Sequence, residues 1–217
     1  MTMHSKPNAH RIQKILRLLK CHYPNARIIL RYSNSWELLV ATILSAQCTD
    51  QRVNIVTGQL FRKYKNAGDF AGADIAELEQ DIRSTGFYRN KAKNIKSCCT
   101  DIVEKYKGKV PDTMEQLVEL AGIGRKTANV VLGNAFGKPG IVVDTHVGRI
   151  ARRTGLTSNT DVVKVEFDLM ELIPKDKWTI FSNQLILHGR AICKARKPEC
   201  GECPVLKYCD YGREQSD

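Results

Sequence analysis

Residues 120–131 read L-A-G-I-G-R-K-T-A-N-V-V, and this run forces a corner on the chain. Gly122 and Gly124 supply positive φ and remove side chains that would keep two backbone segments apart. Leu117 and Leu120 share one side of the helix before the corner, and Val130 and Val131 can meet them from the helix after it. A bare G-x-G corner is common. Here, however, the second helix opens on Arg125-Lys126-Thr127. A helix start carries partial positive charge and unpaired N–H groups, which together favour a phosphate. The same dipole, Arg125 and any burial all disfavour a second cation, the direction that yields a neutral, nucleophilic lysine amine. Lys126 is thus read as a nucleophile beside a phosphate cradle, against the plainer reading of an exposed or phosphate-contacting lysine.

The 217 residues suit one large domain or two small ones, and a formal net charge of +11 is what a polyanion binder needs. No apolar run approaches the roughly 20 residues of a membrane span. Met1–His10 lacks the apolar centre of a secretory leader. Eight cysteines without a leader point to metal or thiol use rather than disulfides.

Apolar spacing predicts an all-α chain, with helices over 11–21, 36–44, 51–64, 74–84, 91–106, about 113–120, 125–136, 145–153, 162–173 and 177–188. Asn34-Ser35 and Asp74 read as N-caps. Asp112 with Glu115, or Thr113 with Gln116, reads as a capping box. Gly137-Lys138-Pro139-Gly140 marks a domain boundary. The apolar triplet Ile141–Val143 after it is too short to imply a sheet.

Asp144 stands between that triplet and a helix, a natural N-cap worth about 1 kcal/mol. A carboxylate that accepts N–H bonds stays ionised, and an ionised carboxylate can stabilise positive charge developing on a sugar ring. Cys193, Cys200, Cys203 and Cys209 form C-x6-C-x2-C-x5-C. Four thiolates this close suit a [4Fe–4S] cluster or a zinc ion, or remain unmetallated. Arg190, Lys194, Arg196, Lys197 and Lys207 surround them, either as a solvated basic surface or as phosphate contacts. Cys21, Cys48, Cys98 and Cys99 read as thiols with no metal role, and His146 and His188 as structural.

Three separated motifs now converge: the corner itself, V-D-T-H-V-G-R-I at 143–150, and the cysteine tail. L-L-V-A-T-I-L-S-A-Q-C-T-D at 38–50 and G-F-Y-R-N-K-A at 86–92 add to them. In this order, over nearly the whole chain, they resemble the endonuclease III family of helix–hairpin–helix DNA glycosylases with AP lyase activity. The resemblance implies an all-α fold of two domains with the DNA site in the cleft between them. One would be a six-helix domain over 28–138. The other would join 1–27 to 139–217 and carry a [4Fe–4S] cluster on Cys193, Cys200, Cys203 and Cys209. Lys126 would be the Schiff-base nucleophile and Asp144 the catalytic carboxylate. Gln47 would enter the gap left by an extruded nucleotide, Phe87 would sit at the position of an apolar wedge, and Gly122, Gly124, Arg125 and Lys91 would contact DNA.

The resemblance further implies a cytoplasmic monomer acting on double-stranded DNA with damaged bases or abasic sites, oxidised pyrimidines above all. Two departures stand out. Ala121 replaces the usual hairpin proline, which would stiffen the corner, and Phe87 is bulkier than the leucine often found at its place. Two rivals are a monofunctional adenine-mismatch glycosylase, whose branch typically lacks a lysine at position 126, and a non-enzymatic iron–sulfur DNA-binding protein.

Overall fold

The computed structural model describes residues 9–214. The expectation of a leader-free N-terminus concerns residues that lie mostly outside these. Twelve α-helices with short 3-10 turns make up the described chain: α1 (Ala9–His22), α2 (Ser35–Ser45), α3 (Asp50–Lys63), α4 (Ala67–Gly72), α5 (Ile75–Ile82), α6 (Tyr88–Tyr106), α7 (Met114–Val118), α8 (Arg125–Ala135), α9 (Thr145–Arg153), α10 (Val162–Leu172), α11 (Trp178–Ala191) and α12 (Asp210–Glu214). Among the described residues there is no strand, and no helix is long and apolar enough to cross a membrane. The chain divides into two compact units, one spanning Ile29–Lys138, the other taking the chain up to Ile28 and from Pro139 onward.

The Ile29–Lys138 unit is organised around α2. Every residue from Leu38 to Leu44 is buried, so this helix has no solvent face beyond its first turn. A helix apolar all round must be enclosed, and α3, α6 and α8 pack against it. Asn34 caps it by accepting the Glu37 N–H at 3.0 Å. The aromatic side chains fill the region between α2, α3 and α4: Trp36 meets Phe61 edge-on at 5.3 Å, and Tyr64 stacks on Phe70 at 4.6 Å.

The unit has seven α-helices rather than six, and α4 is the one that no apolar period announces. Two glycines weaken the stretch, but Asn66 caps it through the Asp69 N–H, and buried Ala67 and Phe70 anchor it against α6. The N-cap falls on Thr113, whose hydroxyl accepts the Gln116 N–H and donates to the Gln116 side-chain Oε1. Helix α7 is shorter than its sequence suggests, because the chain leaves it at Glu119 to enter the glycine corner.

The other unit has one core, in which Ile12, Ile15 and Leu19 of α1 join Val147 and Ile150 of α9, Leu169 of α10, and Phe181 and Leu185 of α11. Ile141, Val142 and Val143 cross it as buried irregular backbone. The Val142 N–H is satisfied by the Ser182 hydroxyl at 2.9 Å, as a buried amide must be. Arg11 closes the unit across the chain. Its guanidinium donates to the Tyr208 carbonyl at 3.0 Å, pairs with Asp210 at 2.8 Å, and also donates to the Thr154 carbonyl.

Gly122, with φ +76°, turns the corner between α7 and α8. A Cβ there would stand 2.9 Å from Asn94 Cβ of α6. Gly122→Ala therefore combines left-handed strain with a clash, and urea unfolding should show a loss of about 1–3 kcal/mol. A loss below a few tenths would mean that the corner yields freely.

Candidate functional site

In the Ile29–Lys138 unit, the corner is built as its sequence suggests. Leu117, Leu120 and Ile123 are buried before α8, and Ala128, Val130 and Val131 within it. Gly124 is the N-cap of α8 in extended backbone, and no side chain caps that helix. A glycine cap leaves the helix start open to an external acceptor, the geometry that suits a phosphate. Lys126, the second residue of α8, is exposed, so the burial envisaged for it is not found.

Two loops of the same unit hold strained residues. Gln47, exposed between α2 and α3, has φ +53°, and Phe87, the N-cap of α6, has φ +49° and is 64 % exposed. Left-handed backbone costs a non-glycine residue about 1 kcal/mol or more, and such strain clusters at functional sites. A large aromatic left in solvent on strained backbone has no role in the core of its own unit.

Lys91 corrects an expectation. Read as a DNA contact, it is only 4 % exposed. Its Nζ donates to the carbonyls of Leu44 and Thr85, both at 2.8 Å. Burial lowers its pKa. It lies on the inner face of α6, where only two carbonyl acceptors make an ammonium tolerable.

In the other unit, Asp144 is the N-cap of α9. Its Oδ1 accepts the N–H groups of His146 at 2.9 Å and Val147 at 2.8 Å. The cap uses one carboxylate oxygen and leaves Oδ2 outside it.

The cysteine segment is shaped by two 3-10 turns, Cys200–Glu202 and Leu206–Tyr208, with Val205 buried between them in the core. Cys203 and Cys209 each lie within electrostatic reach of both Cys193 and Cys200. Burial pushes the Cys203 thiol up to about 11 and raises that of Cys209. Thiolates here require a cation to hold them. Among the described residues no three His, Cys, Asp or Glu side chains form a group that could hold a metal ion. A [4Fe–4S] cluster is larger than one ion and takes four thiolates, one on each iron, a donor set that these four cysteines match.

Two arginines that sequence reading passed over hold this segment. Arg153 donates to Cys193 Sγ at 3.3 Å and to the carbonyls of Lys194 at 2.7 Å and Ala195 at 2.8 Å. Arg149 reaches the Cys193 carbonyl at 2.7 Å and the Gly189 carbonyl at 3.0 Å. Their i,i+4 spacing on α9 was the available signal. His188, read as structural, lies beside the cysteines. Burial holds its pKa down to about 4, so the ring is neutral. Its Nδ1 pairs with the Tyr23 hydroxyl at 3.1 Å and its Nε2 with Cys203 Sγ at 3.5 Å. Lys194, expected among free basic residues, is paired with Glu199 at 2.5 Å.

Comparison with known proteins agrees with this arrangement. Residues 40–175 match the HhH-GPD superfamily base excision DNA repair protein model, and residues 193–209 match the iron-sulfur binding domain of endonuclease III. Endonuclease III of a Synechocystis species is 54 % identical over 200 residues, covering 92 % of this chain and 91 % of that protein. The Bacillus subtilis endonuclease III is 50 % identical over 194 residues, covering 89 % of each. Two solved structures, a non-covalent endonuclease III–DNA complex and a trapped endonuclease III–DNA covalent intermediate, each superpose with a TM-score of 0.92 at 45 % identity. Both cover 97 % of this chain, and 99 % and 100 % of their own. Such matches, spanning both units in sequence order, show that the chain belongs to the endonuclease III family of the HhH-GPD superfamily.

Proposed function

We propose that this protein is a base-excision-repair DNA glycosylase with AP lyase activity that removes oxidised pyrimidines from double-stranded DNA. The observation that carries the reading is Lys126 itself: an exposed amine in the first turn of an uncapped helix, directly after the glycine corner. A relative 45 % identical has been trapped as a covalent intermediate with DNA, the species a lysine nucleophile forms.

The steps follow from the residues present. Basic surface, in a chain of net charge +11, finds DNA through its phosphates. The open start of α8 binds one backbone phosphate. Gln47 and Phe87 enter the stack where the damaged nucleotide leaves it, which costs least at a weakened pair. The Lys126 amine attacks C1′ and the base departs with the electrons of the glycosidic bond. Loss of an amine proton and opening of the sugar ring yield an imine. That imine acidifies the C2′ hydrogen. Its removal expels the 3′ phosphate, cutting the strand on the 3′ side, and water then releases the lysine. Asp144, held by its cap through Oδ1, stabilises the cationic sugar with the oxygen the cap leaves over. Cys193, Cys200, Cys203 and Cys209 hold the [4Fe–4S] cluster, whose part here is to fold a segment too poor in apolar residues to fold alone. The protein acts as a cytoplasmic monomer.

Borohydride reduction during reaction with an abasic duplex should fix wild-type protein to DNA, and Lys126→Ala should give no adduct. An undiminished adduct in that variant would refute the assignment. Asp144→Asn should keep the cap, since asparagine caps as well as aspartate, and so leave the thermal midpoint nearly unchanged. Its single-turnover excision rate should nonetheless drop about 100-fold or more; a rate within a factor of three would remove the carboxylate from the chemistry. Chelation of iron should raise amide exchange across 193–209 while α2, α6 and α8 stay protected. Uniform loss of protection would show that the cluster supports far more than its own segment.

A further inference from the structure

Gln47 and Phe87 lie 40 residues apart in sequence, in different loops, yet both adopt left-handed backbone on an exposed surface. Strain of this kind persists only where the surroundings over-determine it. The structure offers one group that bears on both loops, the buried ammonium of Lys91.

Leu44 O belongs to the last turn of α2, three residues before Gln47. It is among the carbonyls that a helix end leaves without an intrahelical partner. Thr85 is the last residue of the 3-10 turn, two residues before Phe87. Lys91 Nζ takes both at 2.8 Å, so the two oxygens are no further apart than twice that distance. The positive charge also sits at the negative end of the α2 dipole. The backbone N–H of Lys91 donates in addition to Phe87 O at 3.1 Å, the first helical bond of α6. Thr85 is itself fixed, buried and with its hydroxyl on Ile82 O at 2.8 Å. The entry to each strained residue is therefore tied to one cation.

We propose that Lys91 is a positioning residue that holds the Gln47 and Phe87 turns in fixed register, so that both side chains meet the DNA stack already ordered. This rests on the wedge reading of Gln47 and Phe87 given above. A protein that must order two loops while expelling a base loses binding free energy to that ordering; a shared clamp removes the cost beforehand. Lysine suits the place because its ammonium has three donors on one flexible stem, enough for two carbonyls that converge from different elements.

The test separates clamp from scaffold by substrate. Lys91→Met keeps the apolar stem and deletes the donor; Lys91→Gln keeps a shorter donor able to serve one carbonyl, and is used if the methionine variant does not fold. Each is assayed as the full-length, cluster-loaded protein, at least ten degrees below its own thermal midpoint. The substrates are a duplex with a paired lesion and a single strand with a preformed abasic site, which has no base to expel. The expected result is a fall in kcat/KM of about tenfold or more on the duplex and less than about threefold on the single strand. In a Gln47→Ala, Phe87→Ala background the same change should cost little more, since groups acting as a unit are not additive. Equal losses on both substrates, no loss on either, or full additivity would overturn the clamp. If Gln47→Ala and Phe87→Ala leave duplex excision untouched, the wedge reading fails and the clamp with it. If they impair excision while both Lys91 variants stay inert, the clamp alone fails.

Discussion

A helix with no polar face must be surrounded, and in the Ile29–Lys138 unit that demand falls on α2. Enclosing Leu38–Leu44 brings α3, α6 and α8 to a common centre. The functional positions are consequences of that enclosure. Helix α8 must present its N-terminal end after a tight corner because α7 packs on it just before. The chain leaving α2 must turn sharply at Gln47 to start α3, and the chain entering α6 must turn at Phe87. Apolar burial fixes the scaffold, and the polar chemistry sits at its exits.

The second unit meets a different difficulty. Its core accounts for α1, α9, α10 and α11 but takes only Val205 fully, with Cys193, Cys203 and Tyr208 at its edge, from the cysteine segment. The rest is held by polar bonds to backbone. Arg149 and Arg153 supply those at its start, each guanidinium serving two carbonyls of residues 189–195. Guanidinium suits this work, since its rigid fork reaches more than one acceptor and never loses its charge. Arg153 also donates to Cys193 Sγ, so one of the arginines that shape the segment touches a cysteine sulfur as well.

Much of this was legible in the sequence for a simple reason. Helices with an apolar stripe and a cap announce themselves, and Asn34, Asp74, Thr113 and Asp144 all cap as their residue types suggest. The corner was legible because glycine marks positive φ, as at Gly122. What stayed hidden was set by tertiary context. Helix α4 carries two glycines in six residues and exists through Asn66 and the α6 surface. Lys91 looks by type like a surface cation, and only folding reveals two carbonyls converging on it. Gln47 and Phe87 are not residues that advertise left-handed backbone, so their strain could not be read ahead. Arg149 and Arg153 lie in a basic helix where charge alone does not show which cations face inward.

The tie from Arg11 to Asp210 spans 199 positions, and it has a bearing on birth as well as on form. A ribosome adding about 5–20 residues each second exposes the N-terminal helix roughly 10–40 s before the acceptor exists. For most of that wait Ile12, Ile15 and Leu19 lack the α9, α10 and α11 residues they pack against, which are made late, whereas the Ile29–Lys138 unit is complete once residue 138 has emerged. Translation thus imposes a sequence of events, the uninterrupted unit settling first while helix α1 idles, greasy side outward, until α9, α10 and α11 arrive.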